Sequence, residues 1–217
     1  MIKTVNGRHY PKQPKRLPRP LSADIVKKVF AQLPDNWFGM MHRLALATGV
    51  RVSEALNCLR SSIDMDAMTI RVVGMSDKER IVYFSEAFRC ILINYIEQHP
   101  AEKGCDLLFQ HDGQGYSFGH FVREIRTFCK RIGIKYVFRQ LRYTFATELI
   151  KAGMKVEALQ QILGYESIAT TMIMYLNMVP SLEQIRSDYF KAFKRQKRQQ
   201  DCRQAVRHRR RLKKFNK

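Results

Sequence analysis

No stretch of the 217-residue chain stays apolar long enough to span a membrane, and the first residues lack the apolar core of a signal peptide. Cysteine is sparse. The five thiols (Cys58, Cys90, Cys105, Cys129 and Cys202) are odd in number and show no paired short spacing, which argues against a disulfide framework and a zinc knuckle. Free thiols suit a reducing compartment, so a cytoplasmic, nucleoid-associated location is expected, with no membrane partner. His42, His99, His111 and His120 have neither metal-ligand spacing nor a motif around them, so no metal site is expected. No internal repeat is present. Acid is scarce beside base: 19 Asp and Glu stand against 39 Lys and Arg, a net charge of +20.

That charge is unevenly spread. Residues 1–19 carry +6 with no acid, residues 191–217 carry +12, and the body between them only +2. Two basic arms suit a polyanion, since each phosphate neutralised releases condensed counterions. Solvated ends that keep the protein soluble are the other reading. An anionic lipid surface fits less well, because the C-terminal tail offers little apolar face. With 45% hydrophobic residues, the body has enough apolar content for one good-sized core.

Four prolines in residues 1–20 predict an extended, basic N-terminal arm. Ser22 is a plausible N-cap for an amphipathic helix from Ala23 to Leu33, which Pro34-Asp35-Asn36 breaks. A strongly apolar helix from Trp37 to Thr48 runs into Gly49, and Val52 to Leu59 reads as another. Thr69 to Val73 and Arg80 to Phe84 are β-rich runs around a polar link, hence a hairpin. Helices follow over Glu86–Gln98, Phe118–Ile132, Gln140–Ala152 and Val156–Leu163. The fold class expected is mainly α with a small antiparallel β-sheet.

Four segments carry a more specific signal. They are Thr48-Gly49-Val50-Arg51-Val52-Ser53-Glu54, Arg139-Gln140-Leu141-Arg142-Tyr143-Thr144-Phe145-Ala146-Thr147, Leu163-Gly164-Tyr165-Glu166-Ser167 and Thr170-Thr171-Met172-Ile173-Met174-Tyr175. In this order they resemble the two arginine boxes, the Leu-Gly-His segment and the nucleophile run of the tyrosine recombinases, the phage-integrase family of DNA strand-exchange enzymes. The resemblance implies that family's catalytic-domain fold over residues 21–190, between an arm at 1–20 and a basic tail at 191–217. Pro18-Arg19-Pro20-Leu21-Ser22 looks like the start of that domain. The chain therefore resembles minimal members, such as the fimbrial-switch invertases, that lack an N-terminal core-binding domain.

The implied reaction is phosphoryl transfer without metal or nucleotide cofactor. A tyrosine attacks a DNA phosphate, giving a 3′-phosphotyrosyl link and a free 5′-hydroxyl, and a partner strand's 5′-hydroxyl reverses the step. Such a site needs charge on the non-bridging oxygens, a proton donor for the leaving oxygen and a positioned phenol. Arg51 and Arg142 match the two box arginines, whose planar, permanently charged forks suit those oxygens. A surface ion pair with Glu54 is the plainer reading of Arg51. Glu54 resembles the acid that orients an arginine. Removing the Arg142 side chain is expected to abolish cleavage with the fold intact.

The other positions depart from the pattern. Arg139 stands where histidine is usual; it keeps a phosphate contact but cannot shuttle a proton, and a solvated helix-start arginine is its alternative. Tyr165 also replaces histidine and can donate one hydrogen bond from an aromatic body, or else cap the turn after Gly164. Met75 falls where the general-acid lysine belongs. Lys78 either replaces it or contacts DNA backbone from an exposed turn. Tyr175 is the nucleophile candidate, although alignment on Thr170-Thr171 puts Met174 at the expected position. A slip of one residue turns a helical side chain by about 100° unless a bulge absorbs it; a buried helical tyrosine is the other reading.

Two functions remain from the sequence. One is a site-specific recombinase of integrase, invertase or resolvase type, dimeric on its double-stranded DNA site and tetrameric in the synapse, with room for an accessory DNA-binding protein. The other is a DNA-binding protein that keeps the fold and has lost efficient strand exchange. A type IB topoisomerase shares the nucleophile but matches the paired boxes less well. Arg80 in the hairpin and Arg195, Lys197, Arg198, Arg209, Arg210 and Arg211 in the tail are the expected DNA contacts.

Overall fold

Ser22 and Asn36 set the two helices that open the body of the molecule. The Ser22 hydroxyl accepts the Ile25 amide at the head of α1 (Ala23–Ala31), and Asn36 Oδ1 accepts the amides of Phe38 and Gly39 at the head of α2 (Trp37–Thr48). The computed structural model describes residues 19–74 and 78–165, with the paired backbone of β1 (Thr4–Val5) and β2 (Arg8–His9) inside the expected arm. These residues lie in one compact unit, Met1–Tyr175.

Helix α2 stops at Gly49, whose φ of 70° is the left-handed conformation that ends helices. A side chain there would also strike the Phe145 ring. The next helix, α3 (Val52–Leu56), is shorter than the sequence suggests. Leu59 leaves it to form a β-bridge with Leu107, and Cys58 O accepts the Leu108 amide at 2.8 Å. Strands β3 (Ile63–Asp64), β4 (Thr69–Val73) and β5 (Glu79–Tyr83) then form an antiparallel sheet in that order. The hairpin register pairs Ile70 with Val82 and Val72 with Arg80. Helix α4 (Glu86–Gln98), the small hairpin β6 (Gln110–His111) and β7 (Gln114–Gly115), and α5 (Phe118–Ile132) follow. Helices α6 (Arg139–Lys151) and α7 (Val156–Leu163) complete the described elements. None of the described helices is long and apolar enough to cross a membrane.

Helix α2 is the centre of the core. Phe38, Met40, Met41, Leu44 and Ala45 are all buried, so its apolar residues occupy most of its circumference, as befits a helix packed on every side. Each large side chain among them contributes roughly 1.5–3 kcal/mol by leaving water. His42 is fully buried in the same helix. Its Nδ1 lies 2.8 Å from Phe38 O, which only accepts, so Nδ1 carries the proton and Nε2 accepts the Tyr136 hydroxyl at 2.6 Å. Burial drives the His42 pKa down to about 4, and the ring is neutral.

Helix α6 packs on α2, and the arginine box at its start also fastens the chain entry. Gln140 Nε2 donates to Arg19 O at 2.9 Å, and Thr144 Oγ1 accepts the Leu21 amide at 2.9 Å. These box residues therefore hold the first turns of the domain against the helix that carries Arg139 and Arg142.

Candidate active site

The last carbonyls of a helix have no partner within it, and the helix dipole leaves that end partly negative. At the end of α7, three consecutive carbonyls are taken by arginines from three separate elements. Ile162 O accepts from Arg80 Nε at 2.8 Å, Leu163 O from Arg142 Nη2, and Gly164 O from Arg51 Nη2 at 3.1 Å. Gly164 itself has φ 61°, and a Cβ built on it would lie 2.8 Å from Arg80 Cδ. The glycine of the Leu-Gly-Tyr segment thus serves both the turn and the passage of the Arg80 stem.

Glu54 joins two of these arginines from the other side. It lies in the first turn of α3, and its Oε2 accepts the Arg51 amide at 2.6 Å, the returning half of a capping box whose other half an arginine cannot supply. The same carboxylate accepts Arg51 Nη1 at 2.6 Å and Arg80 Nη2 at 2.8 Å, with a further bond from Arg80 Nη1. Its side chain is fully buried, between Arg51 at 35% exposure and Arg80 at 10%. Burial alone would raise the carboxyl pKa, but the hydrogen bonds and charge of Arg80 and Arg51 outweigh it and bring it down to about 2.

Arg142 is only 4% exposed. Its Nη1 donates to Gly49 O at 2.6 Å, and its guanidinium carbon sits 5.0 Å from the centre of the Tyr165 ring. Burial depresses its pKa; Tyr165 opposes the shift and Arg51 and Arg80 add to it. The group stays charged, because arginine starts far above any working pH. Arg51, Arg139, Arg142 and Tyr165 all line a cavity of about 560 Å³, which has an apolar lining from Phe118, Val122, Ile125 and Val137. Arg139 opens α6 and is exposed beside this cavity.

Arg126 on α5 also lines it. Sequence reasoning passed over this residue, although Arg123, Arg126 and Lys130 are spaced to share one face of a helix.

The hairpin adds detail at two of the expected positions. Alternation along β5 puts Arg80 on the same face as buried Val82, and its guanidinium is committed to Glu54 and Ile162 O. Arg80 thus has an internal role, with Nε, Nη1 and Nη2 all donating to protein oxygens. Lys78 is exposed at the base of the turn, where its carbonyl accepts the Gly74 amide at 2.9 Å. A Cβ built on Gly74, across the turn from it, would lie 3.7 Å from Glu54 Oε1. The structure therefore brings Arg51, Glu54, Arg139, Arg142 and Tyr165 together, with Lys78 exposed just before β5. Met75, Tyr175, Arg195, Lys197, Arg198, Arg209, Arg210 and Arg211 lie outside the described residues.

The sequence model of the phage integrase family matches residues 21–180. The chain belongs to the phage integrase family. Among members of this family, tyrosine recombinase XerA of Saccharolobus solfataricus is 36% identical over 151 residues, 69% of this chain and 48% of that protein. Tyrosine recombinase XerD of Listeria monocytogenes is 28% identical over 176 residues, 75% of this chain and 59% of that one. The chain thus spans 48% and 59% of the length of these two relatives. The crystal structure of XerA recombinase superposes with a TM-score of 0.67 at 29% identity, over 82% of this chain and 66% of that one. The catalytic domain of bacteriophage HP1 integrase shares the fold, with a TM-score of 0.58 at 22% identity over 78% of this chain and 94% of the phage domain. The mainly α fold with a small antiparallel sheet is thus the tyrosine recombinase catalytic-domain fold.

Proposed function

We propose that this chain cuts and rejoins double-stranded DNA at specific sites through a 3′-phosphotyrosyl intermediate. One observation carries the reading. Arg51 and Arg142, far apart in sequence, are anchored on the adjacent carbonyls of Gly164 and Leu163 and line one cavity with Arg139 and Tyr165. Among the described residues, each guanidinium keeps N–H groups beyond those given to protein acceptors. Those groups hold the non-bridging oxygens of the scissile phosphate, fixed in place before substrate arrives. Arg139 adds a third positive charge, and the Tyr165 hydroxyl donates a hydrogen bond to the same phosphate. The Tyr175 hydroxyl releases its proton to solvent as its oxygen bonds to phosphorus and the bond to the 5′ oxygen breaks, and Lys78 protonates the departing oxygen in place of the lysine missing at Met75.

In this reading residues 21–190 are the catalytic domain, and the arms at 1–20 and 191–217 grip DNA backbone, with Arg195, Lys197, Arg198, Arg209, Arg210 and Arg211 among the contacts. The active assembly is a dimer on each site and a tetramer in the synapse, nucleoid-associated, with an accessory DNA-binding protein a further component to test. Two XerH structures support a DNA partner, since they hold a recombinase of this fold bound to its difH substrate before and after cleavage.

Met75 favours a second reading, DNA binding on the same fold without efficient strand exchange, because its thioether cannot protonate a leaving oxygen. The test is a set of suicide DNA substrates covering the native locus, nicked so that the 5′-hydroxyl fragment escapes. A denaturant-stable protein–DNA adduct that disappears in Tyr175→Phe is the expected result. An adduct that survives this change moves the nucleophile elsewhere, and binding without any adduct selects the second reading.

A further inference from the structure

The geometry points to Arg80 as a positioning residue that holds Glu54 and the end of α7, and through them the Arg51 guanidinium, against the scissile phosphate. This inference rests on the phosphate-binding roles proposed for Arg51 and Arg142. Arg80 makes no approach to a phosphate of its own: its side chain is 10% exposed, and its Nε, Nη1 and Nη2 all donate to protein oxygens. The acceptors matter more than their number. Two are the oxygens of Glu54, which also bond Arg51 through its backbone amide and its Nη1. The third is Ile162 O, two residues before the carbonyl that receives Arg51 Nη2. Arg80 therefore touches both of the supports that fix the Arg51 fork.

A single buried carboxylate bonded to two arginines behaves as a hinge pin. With Arg80 present, Glu54 is held from two directions and offers Arg51 a fixed acceptor. Without it, the carboxylate is free to turn wholly toward Arg51, and the α7 end loses the tie to β5. An arginine is needed for this task, because a lysine has no planar fork to fill both Glu54 oxygens while also reaching Ile162 O. The charged groups around Glu54 are Arg51 from the head of α3 and Arg80 from β5, with Arg142 from α6 close to both; no second acid bonds these arginines among the described residues. Arg80 crosses Gly164 closely enough that a Cβ there would lie 2.8 Å from its Cδ. Displacing a phosphate clamp by about an ångström is enough to slow a reaction roughly 100-fold.

Two measurements test this on the full chain. The first follows arginine Nε–H resonances during titration with inorganic phosphate, at a temperature where each variant is folded. Wild type should show phosphate-dependent shifts at Arg51 and Arg142. Arg80→Met should lose the Arg51 shift and retain the one at Arg142, with Arg80→Lys falling between. The second compares rates of adduct formation on the suicide substrates. Arg80→Met should lower the rate about 10–100-fold with DNA affinity unchanged within about twofold. Added to Glu54→Gln, the same change should cost clearly less than it does in wild type, since the two share the Glu54 support and only the tie to Ile162 O is left to lose.

Equal Arg51 shifts in wild type and Arg80→Met overturn the inference, as do fully multiplicative losses in the double variant. Should Arg80→Met fail to fold, Arg80→Lys is read by the same criteria. Absence of an adduct in wild type, with the Arg51 shift present, removes strand cleavage and leaves the inference to the phosphate measurement. Absence of any phosphate shift in wild type removes the phosphate-binding roles and the inference with them.

Discussion

Replacing Arg142 by alanine reaches further than the phosphate it is proposed to hold. From sequence the change is expected to end cleavage and spare the fold. The structure adds a cost in stability, because Arg142 is 4% exposed and supplies the donors for Gly49 O and Leu163 O. Alanine leaves both carbonyls without these buried hydrogen bonds. Each unpaired buried acceptor costs roughly 1–3 kcal/mol, so the pair costs about 2–6 kcal/mol. Domains of this kind are held by only about 5–15 kcal/mol, so the variant folds but melts early. At roughly 2–4 °C per kcal/mol for a chain of this size, a fall in Tm on the order of 10 °C is expected. Circular dichroism melts, supported by urea titrations at fixed protein concentration, measure it. Arg142→Lys keeps the charge and can reach one of the carbonyls, so its loss should be about half as large. A melting temperature for Arg142→Ala within about 2 °C of wild type would show that neither carbonyl depends on this side chain.

Three further outcomes follow from other parts of the molecule. His42 is held neutral with its pKa near 4 against an ordinary value of 6.5, so between these values the unfolded chain binds more protons than the folded one. Stability should therefore fall as pH drops from about 6.5 to about 4, by up to about 3 kcal/mol, and His42→Phe should flatten that slope in urea titrations. Gly164→Ala combines a left-handed backbone with a clash against the Arg80 stem, and should cost about 1–3 kcal/mol in unfolding titrations while slowing adduct formation. DNA affinity should fall steeply with salt, and removing residues 191–217 should flatten the log–log slope by about 0.9 for every phosphate that the tail neutralises in the intact protein; an unchanged slope would rule out the tail as a DNA arm.

The helices were legible where their ends are written in side chains. Ser85 and Ser117 cap α4 and α5, Gly133 and Gly164 close α5 and α7, and these elements fall where the sequence places them. The ends of α3 and of the hairpin were harder, because Leu59 leaves its helix for a bridge with Leu107, a partner nearly fifty residues away that local pattern cannot announce. Of the site, the paired arginines and Glu54 were readable from their boxes. The internal role of Arg80 needed a parity argument: residues 80 and 82 share a strand face, and Val82 is plainly a core residue. The carbonyls that seat the arginines had no signature at all, since every residue has one.

That last point shapes how such a site can change over time. Ile162 and Leu163 offer the arginines only backbone oxygens, so their side chains are free to be exchanged for others that pack as well, without disturbing the cluster. Length is another matter. Inserting or deleting one residue within α7 would turn its terminal carbonyls by about 100° and shift them by about 1.5 Å, unseating Arg51, Arg80 and Arg142 in a single event. In lineages that share this seat, α7 should accumulate substitutions freely and gaps hardly ever.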